Sequence, residues 1–307
     1  MKILIATEKP FAAAAVNGIK GIATASGHEV TVLEKYSSKS ALLDAVSDVD
    51  ALIIRSDKVT SEVIDAAKNL KIVVRAGAGY DNIDLESCSQ RKIVAMNTPG
   101  QNSNAVAELA IAMMVFMSRN GFTPGTGSEL KGKKLGIQAY GNVGRLVAEK
   151  ARALGMEVIA FDPFVPAEQM IKDGVTPAQS LEQMYSECNF ISLHMPATPQ
   201  TIGSIGYDLM SLMPMGGCLI NTARKDVMNE AELVKVLTDR ADIKYITDVA
   251  ANCQQELNEK FGKRVFATPK KMGAETAEAN INAGLAAARQ IVDFFATGCT
   301  RHQVNKF

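Results

Sequence analysis

Short runs that are apolar on both faces recur along this chain, each followed by a polar or small-residue break and then a segment of helical period. Those at 2–6, 29–33, 51–55 and 71–75 open the series, and Leu52-Ile53-Ile54 and Ile72-Val73-Val74 leave no face for water. A strand buried on both sides needs helices above and below it, which the crossover connections of a parallel sheet supply. The opening stretch therefore reads as one doubly wound α/β unit. A second series follows at 134–138, 157–161, 190–194, 217–221 and 244–247. Between the two lie turn chemistry at 97–101, an Ala- and Met-rich helix at 103–119 and a Gly/Thr/Pro-rich stretch at 121–128. That helix is apolar nearly all round, which predicts burial between domains or against a second subunit. An Ala-rich helix at 275–296 closes the chain.

At 307 residues the chain is about twice the usual length of one domain. Lys plus Arg equals Asp plus Glu at 33 each and no long basic run occurs, so a nucleic-acid surface is not expected. The N-terminal apolar run is broken by Glu8 and Lys9, too early for a signal peptide. The longest apolar run, 109–117, is well short of a membrane span. The five cysteines form no CxxC pair and no metal site is expected; free thiols point to a reducing cytoplasm.

One loop suggests a dinucleotide. The strand 134–138 runs into Ala139-Tyr140-Gly141-Asn142-Val143-Gly144 and then a helix expected at 145–154. Backbone N–H groups and the positive helix end can meet a pyrophosphate there. Gly141 allows close approach of the phosphates, and Gly144 lets helix and strand pack closely. Asp162 ends the next strand, 18 residues after Gly144, where a carboxylate holds ribose hydroxyls and repels a 2′-phosphate, favouring NAD over NADP. The first fingerprint position is Ala139 rather than glycine. That is tolerable at negative φ and costs about 1 kcal/mol or more at positive φ.

The segment Ile220-Asn221-Thr222-Ala223-Arg224-Lys225 places an arginine at the end of a strand, where its guanidinium can clamp a carboxylate bidentately. Taken alone it reads first as a surface arginine before a helix. It occurs in order with Arg75-Ala76-Gly77-Ala78-Gly79-Tyr80-Asp81-Asn82-Ile83-Asp84, Asn102-Ser103, Val106-Ala107-Glu108, Ser192-Leu193-His194-Met195-Pro196 and Thr247-Asp248-Val249. This ordered set resembles the D-isomer-specific 2-hydroxyacid dehydrogenases over almost the whole chain. Within that family, Leu52 to Thr60 most resembles the phosphoglycerate dehydrogenase branch. The chain runs only a short way past its last helix, so the regulatory domains of longer members are not expected in it.

The resemblance implies a Rossmann-type NAD domain at 99–283 inserted into a flavodoxin-like substrate domain at 1–98 plus 284–307, with the ligands held in a cleft. It places the N–H groups of Ala78 and Gly79 on the substrate carboxylate, and Arg55, helped by Lys58, on a distal phosphate. Asn142 and Val143 should face the pyrophosphate and Asp162 the ribose. Met195, Thr222, Ala223, Asp248, Gly273 and Ala274 should line the cofactor, Asp248 by accepting from the carboxamide. Arg224 is the implied catalytic arginine.

Two family positions depart. Where a glutamate is usual, five residues after Asp248, stands Cys253, and the nearest carboxylate is Glu256. The usual Pro-His-x-Gly is replaced by Thr268-Pro269-Lys270-Lys271-Met272-Gly273-Ala274, so counting back from Gly273 puts Lys271 in the histidine's place. The two changes are chemically coherent. A lysine amine ordinarily titrates near about 10.4, and a carboxylate partner would push it further from neutrality. Losing the glutamate while leaving Arg224 nearby would lower it, as a general base requires. His194 is the alternative base, and which of Lys270 and Lys271 points inward stays open.

The expected activity is NAD-dependent oxidation of D-3-phosphoglycerate to 3-phosphohydroxypyruvate, the entry to serine synthesis, by a cytoplasmic homodimer. Its rivals are a reductase of glyoxylate, hydroxypyruvate or another D-2-hydroxy acid, and a dinucleotide-sensing regulator that has lost catalysis.

Overall fold

The computed structural model describes residues 1–307. The chain divides into two compact units, Met1–Asn102 together with Glu275–Phe307, and Ser103–Ala274. The crossings fall at 102/103 and 274/275, against the 98/99 and 283/284 read from the sequence. The later crossing follows from one element: the helix Ala277–Thr297 is capped by Thr276, whose side chain accepts from Ala279 N, and is continuous.

In the first unit the strands are β1 (Lys2–Thr7), β2 (Glu29–Glu34), β3 (Ala51–Ile54), β4 (Ile72–Arg75) and β5 (Val94–Asn97). All pair in parallel, in the order β2-β1-β3-β4-β5 of a flavodoxin-like sheet. Alternate residues feed two cores. Ile3, Ile5, Ile53 and Val74 meet Ile19, Ala287 and Ile291 on one side, while Leu4, Leu52, Ile54 and Val73 meet Val46, Ile64 and Cys88 on the other. Burial of whole aliphatic side chains on both sides, at about 1.5–3 kcal/mol each, is what holds so short a set of strands in place. The tail protects the sheet edge: Asn305 accepts from Ala95 N and donates to Ile93 O, both at 2.9 Å.

The second unit carries β6 (Lys134–Gln138), β7 (Glu157–Phe161), β8 (Thr176–Pro177), β9 (Phe190–Leu193), β10 (Cys218–Asn221), β11 (Lys244–Thr247) and β12 (Val265–Ala267). Their order, β12-β11-β10-β9-β6-β7-β8, is all parallel and Rossmann-type, with the reversal of strand order between β6 and β9. The helix Ser103–Ser118 turns Ala107, Ala110, Met113, Met114 and Met117 onto a core that also holds Leu135, Ile220 and Ile246. Much of the burial expected of this helix is therefore supplied by its own sheet, while Leu109, Ile111, Val115 and Phe116 stay half-buried. No helix is long and apolar enough to cross a membrane.

Candidate active site

Because the seven strands of the second unit run the same way, the segments after them collect along the carboxyl edge of the sheet, where open α/β sheets hold their ligands. The helix after β6 is Asn142–Ala153, three residues longer at its start than the sequence suggested, with Gly141 as N-cap. Glycine offers no side chain to the first turn, so the amides of Asn142, Val143 and Gly144 keep their hydrogens for an outside acceptor. A Cβ on Gly144 would lie 2.3 Å from Ala139 O, so only glycine lets the helix close on the strand. Asp162, just beyond β7, accepts from Tyr140 N and Phe164 N, each at 2.8 Å. Each of its oxygens retains a further lone pair for a hydroxyl. Amides for a pyrophosphate and a carboxylate for a ribose make a donor set that fits NAD.

Ala139 adopts φ 76°, the left-handed region. That conformation costs a residue with a Cβ about 1–2 kcal/mol, while alanine recovers about 0.4–1 kcal/mol through a less mobile unfolded chain. Ala139→Gly should therefore stabilise the protein by about 0.5–1 kcal/mol, a rise of about 1–3 °C in Tm. An unchanged or lower midpoint in thermal unfolding would show that the neighbouring loop already absorbs the strain.

Beyond β10 the turn bearing Arg224 is clamped by buried Asn221. Its Oδ1 accepts from Ala223 N at 2.9 Å and its Nδ2 donates to Arg224 O at 3.0 Å. Arg224 Nη1 donates to Ala223 O at 2.9 Å, which leaves Nε–H and Nη2 for a ligand. Thr222 and Ala223 are buried, as is Met195 after β9. His194 is held from both ring nitrogens, with Ser192 Oγ at 2.9 Å and Thr222 Oγ1 at 3.3 Å. Burial pushes its imidazole down to about 3, so it is neutral at physiological pH and hydrogen-bonded into the wall.

The segment after β12 hangs on Asp248, which is 1% exposed. Its Oδ1 accepts from Thr268 Oγ1 at 2.9 Å and Met272 N at 2.8 Å, and its Oδ2 from Gly273 N at 2.8 Å. One carboxylate thus pins both ends of the turn carrying Lys270 and Lys271, whose side chains are exposed. Close approach also explains Gly273, since a Cβ there would lie 3.0 Å from Asp248 Oδ2. Ala274 follows, half-buried. Sequence reasoning assigned Asp248 to the cofactor alone and missed Thr268, because their pairing joins separate strand ends, and it missed the clamping role of Asn221, which is local to the turn that carries Arg224.

Glu256 lies on the exposed helix Gln254–Phe261 and pairs with Lys260 at 2.6 Å. The carboxylate beside Cys253 comes instead from Glu230, which accepts from Cys253 N at 3.2 Å and Asn252 N at 2.8 Å. Burial, then Glu230, pushes the Cys253 thiol up to about 11, so it stays protonated. No local signal in the sequence links residues 230 and 253.

In the first unit, Arg55 follows β3. Nη1 donates to Lys9 O at 3.3 Å and Pro10 O at 3.1 Å, and Nη2 to Asn280 Oδ1 at 2.6 Å. Lys58 is exposed. Past β4 the chain turns at 76–79, where Asn97 Nδ2 grips Ala78 O at 2.6 Å and the amides of Ala78 and Gly79 meet no backbone acceptor.

Residues 110–270 match the model of the D-isomer specific 2-hydroxyacid dehydrogenase, NAD binding domain. The chain belongs to the D-isomer-specific 2-hydroxyacid dehydrogenases. Among solved structures of this kind, a cofactor (NAD+)-bound 3-phosphoglycerate dehydrogenase of Entamoeba histolytica is 51% identical with a TM-score of 0.89, covering 100% of this chain and 99% of that one. A hydroxypyruvate reductase of Thermotoga maritima is 34% identical, covering 86% of this chain and 90% of the relative. A D-3-phosphoglycerate dehydrogenase of Methanocaldococcus jannaschii is also 34% identical over 83% of this chain. The chain spans about half the length of that last relative, 51%. As a member of this dehydrogenase family, the protein uses NAD.

Proposed function

We propose that this dehydrogenase oxidises D-3-phosphoglycerate at C2 to 3-phosphohydroxypyruvate, a step toward serine, in the cytoplasm. The observation that carries the substrate is the end-to-end similarity, at 51% identity, to an NAD+-bound 3-phosphoglycerate dehydrogenase. Bound NAD+ supplies the hydride acceptor. The chain supplies charge and a proton acceptor. In this reading Arg224 offers Nε–H and Nη2 to the carboxylate and the C2 oxygen, strengthening as that oxygen becomes a carbonyl. Ala78 and Gly79 offer their amides to the same carboxylate, and Arg55 holds the phosphate. The C2–H bond breaks with its electron pair as hydride, and the hydroxyl proton goes to the neutral amine of Lys271. Since Lys271 is exposed on its pinned turn, ligands must cover it to remove the water that favours its charged form. His194 is a poor competitor, because both ring nitrogens are already bonded within the wall.

A second reading, a reductase of hydroxypyruvate or glyoxylate, is favoured by the length match to the Thermotoga relative. Incubation with NAD+ and D-3-phosphoglycerate at alkaline pH, followed by NADH absorbance, decides between them. Oxidation of the phosphorylated acid at far lower kcat/KM than D-glycerate would remove the first reading. We also propose a homodimer using the half-buried stripe Leu109, Ile111, Val115 and Phe116; a monomer mass in light scattering would end that idea.

A further inference from the structure

An arginine that is to grip a small anion must first be held still. A free Arg side chain carries about 2 kcal/mol of rotamer entropy, lost on binding unless the protein has already ordered it. Arg55 is already ordered. Its guanidinium lies 5.2 Å from the Phe11 ring centroid, Nη1 spends both hydrogens on Lys9 O and Pro10 O, and Nη2 spends one on Asn280 Oδ1 at 2.6 Å. Five donors less these three leave Nε–H and one Nη2–H, two donors on a single rigid plane.

Asn280 is the one side chain among the three hydrogen-bond acceptors. It stands in the first turn of the helix Ala277–Thr297, and its orientation is fixed independently, since Nδ2 donates to Thr276 O at 2.9 Å. With the amide nitrogen so committed, the oxygen must face Arg55. Thr276 in turn caps the helix through Ala279 N at 3.1 Å, so the first turn that presents Asn280 is itself anchored. A neutral acceptor also matters. An aspartate or glutamate in its place would order the guanidinium equally well but cancel the charge that an anion needs.

From this we infer that Asn280 is a specificity-determining positioning residue: it sets Arg55 for a phosphorylated substrate while leaving its charge intact. The inference rests on the phosphate-holding role proposed above for Arg55.

The test compares kcat/KM for D-3-phosphoglycerate with that for D-glycerate on each preparation of the full chain, a ratio that does not depend on the fraction of active enzyme. Asn280→Ala should lower the ratio about tenfold, chiefly through KM for the phosphorylated acid. It should lower it no further in an Arg55→Ala background. Asn280→Asp, which keeps an acceptor for Arg55 although it gives up the bond to Thr276 O, should lower the ratio at least as much by neutralising Arg55. If Arg55→Ala collapses the ratio but both Asn280 variants leave it as in the wild type, the positioning role is wrong and the phosphate role stands. If Arg55→Ala itself leaves the ratio unchanged, the phosphate role is wrong, and Asn280 falls with it.

Discussion

Lys271→Ala should lower kcat by about three to four orders of magnitude, the upper range for loss of a positioned general base, while NAD binding measured by fluorescence stays within about twofold. The expectation comes from where the residue is carried. Its turn is fastened at Thr268, Met272 and Gly273 to one buried carboxylate, so the main chain at Lys271 is placed even though the side chain reaches solvent. Lys270→Ala is the comparison. The two lysines are adjacent on the same turn and both exposed, so the pair of variants shows which one serves. Near-normal turnover in Lys271→Ala, with loss in Lys270→Ala, would transfer the role. Loss in neither would leave the chain without a lysine base. Arg224→Gln should cost about 10³ in kcat/KM, or about 4 kcal/mol, if, as proposed, it removes a charge that acts most strongly on the developing carbonyl.

Acid should destabilise this protein through His194 before its carboxylates protonate. In the unfolded chain the imidazole titrates near 6.5, and in the fold burial pushes it down to about 3. A depressed base means that the unfolded state binds the extra proton between those values. The stabilisation is therefore fully present above about pH 6.5 and is lost as pH falls toward 3. At 1.36 kcal/mol per unit the upper bound over this window is about 4–5 kcal/mol. His194 as a residue is only half-buried, so a loss of about 2–3 kcal/mol between pH 7 and pH 4 is the expected figure. His194→Gln keeps a polar partner for Ser192 and Thr222 but cannot titrate. Urea unfolding at the two pH values should show the wild type losing that much more than the variant; parallel losses would mean that His194 is solvated and contributes nothing.

Much of the fold was legible because its signal is local. Two-faced apolar runs between helical segments specify parallel strands whatever lies elsewhere, and β1, β3, β4, β6 and β11 fall where those runs do. Two strands that escaped notice carry little such signal: β8 is Thr176–Pro177 alone, and β12 is three residues with Phe266 exposed. β5 has the buried apolar run Ile93 to Met96 but merges into the polar turn at Asn97. They exist because neighbouring strands offer them partners. Ala139 marks the same boundary: the sequence showed a missing glycine, but only the closure of the helix onto β6 set the sign of φ.

The sequence by itself determined the two parallel sheets, the glycine-bearing turn with Asp162 beyond it, and the ordered motifs that carry Arg224 and Lys271. Each of these depends on residue type and spacing within a few tens of positions, which periodicity and sterics translate directly into backbone. Tertiary structure alone decided which side chains hold the working groups in place. Asp248 reaches Gly273 across 25 positions, Glu230 reaches Cys253 across 23, and Asn280 reaches Arg55 across 225. Such partnerships are set by strand order, which brings loop ends to a common edge without regard to their distance along the chain.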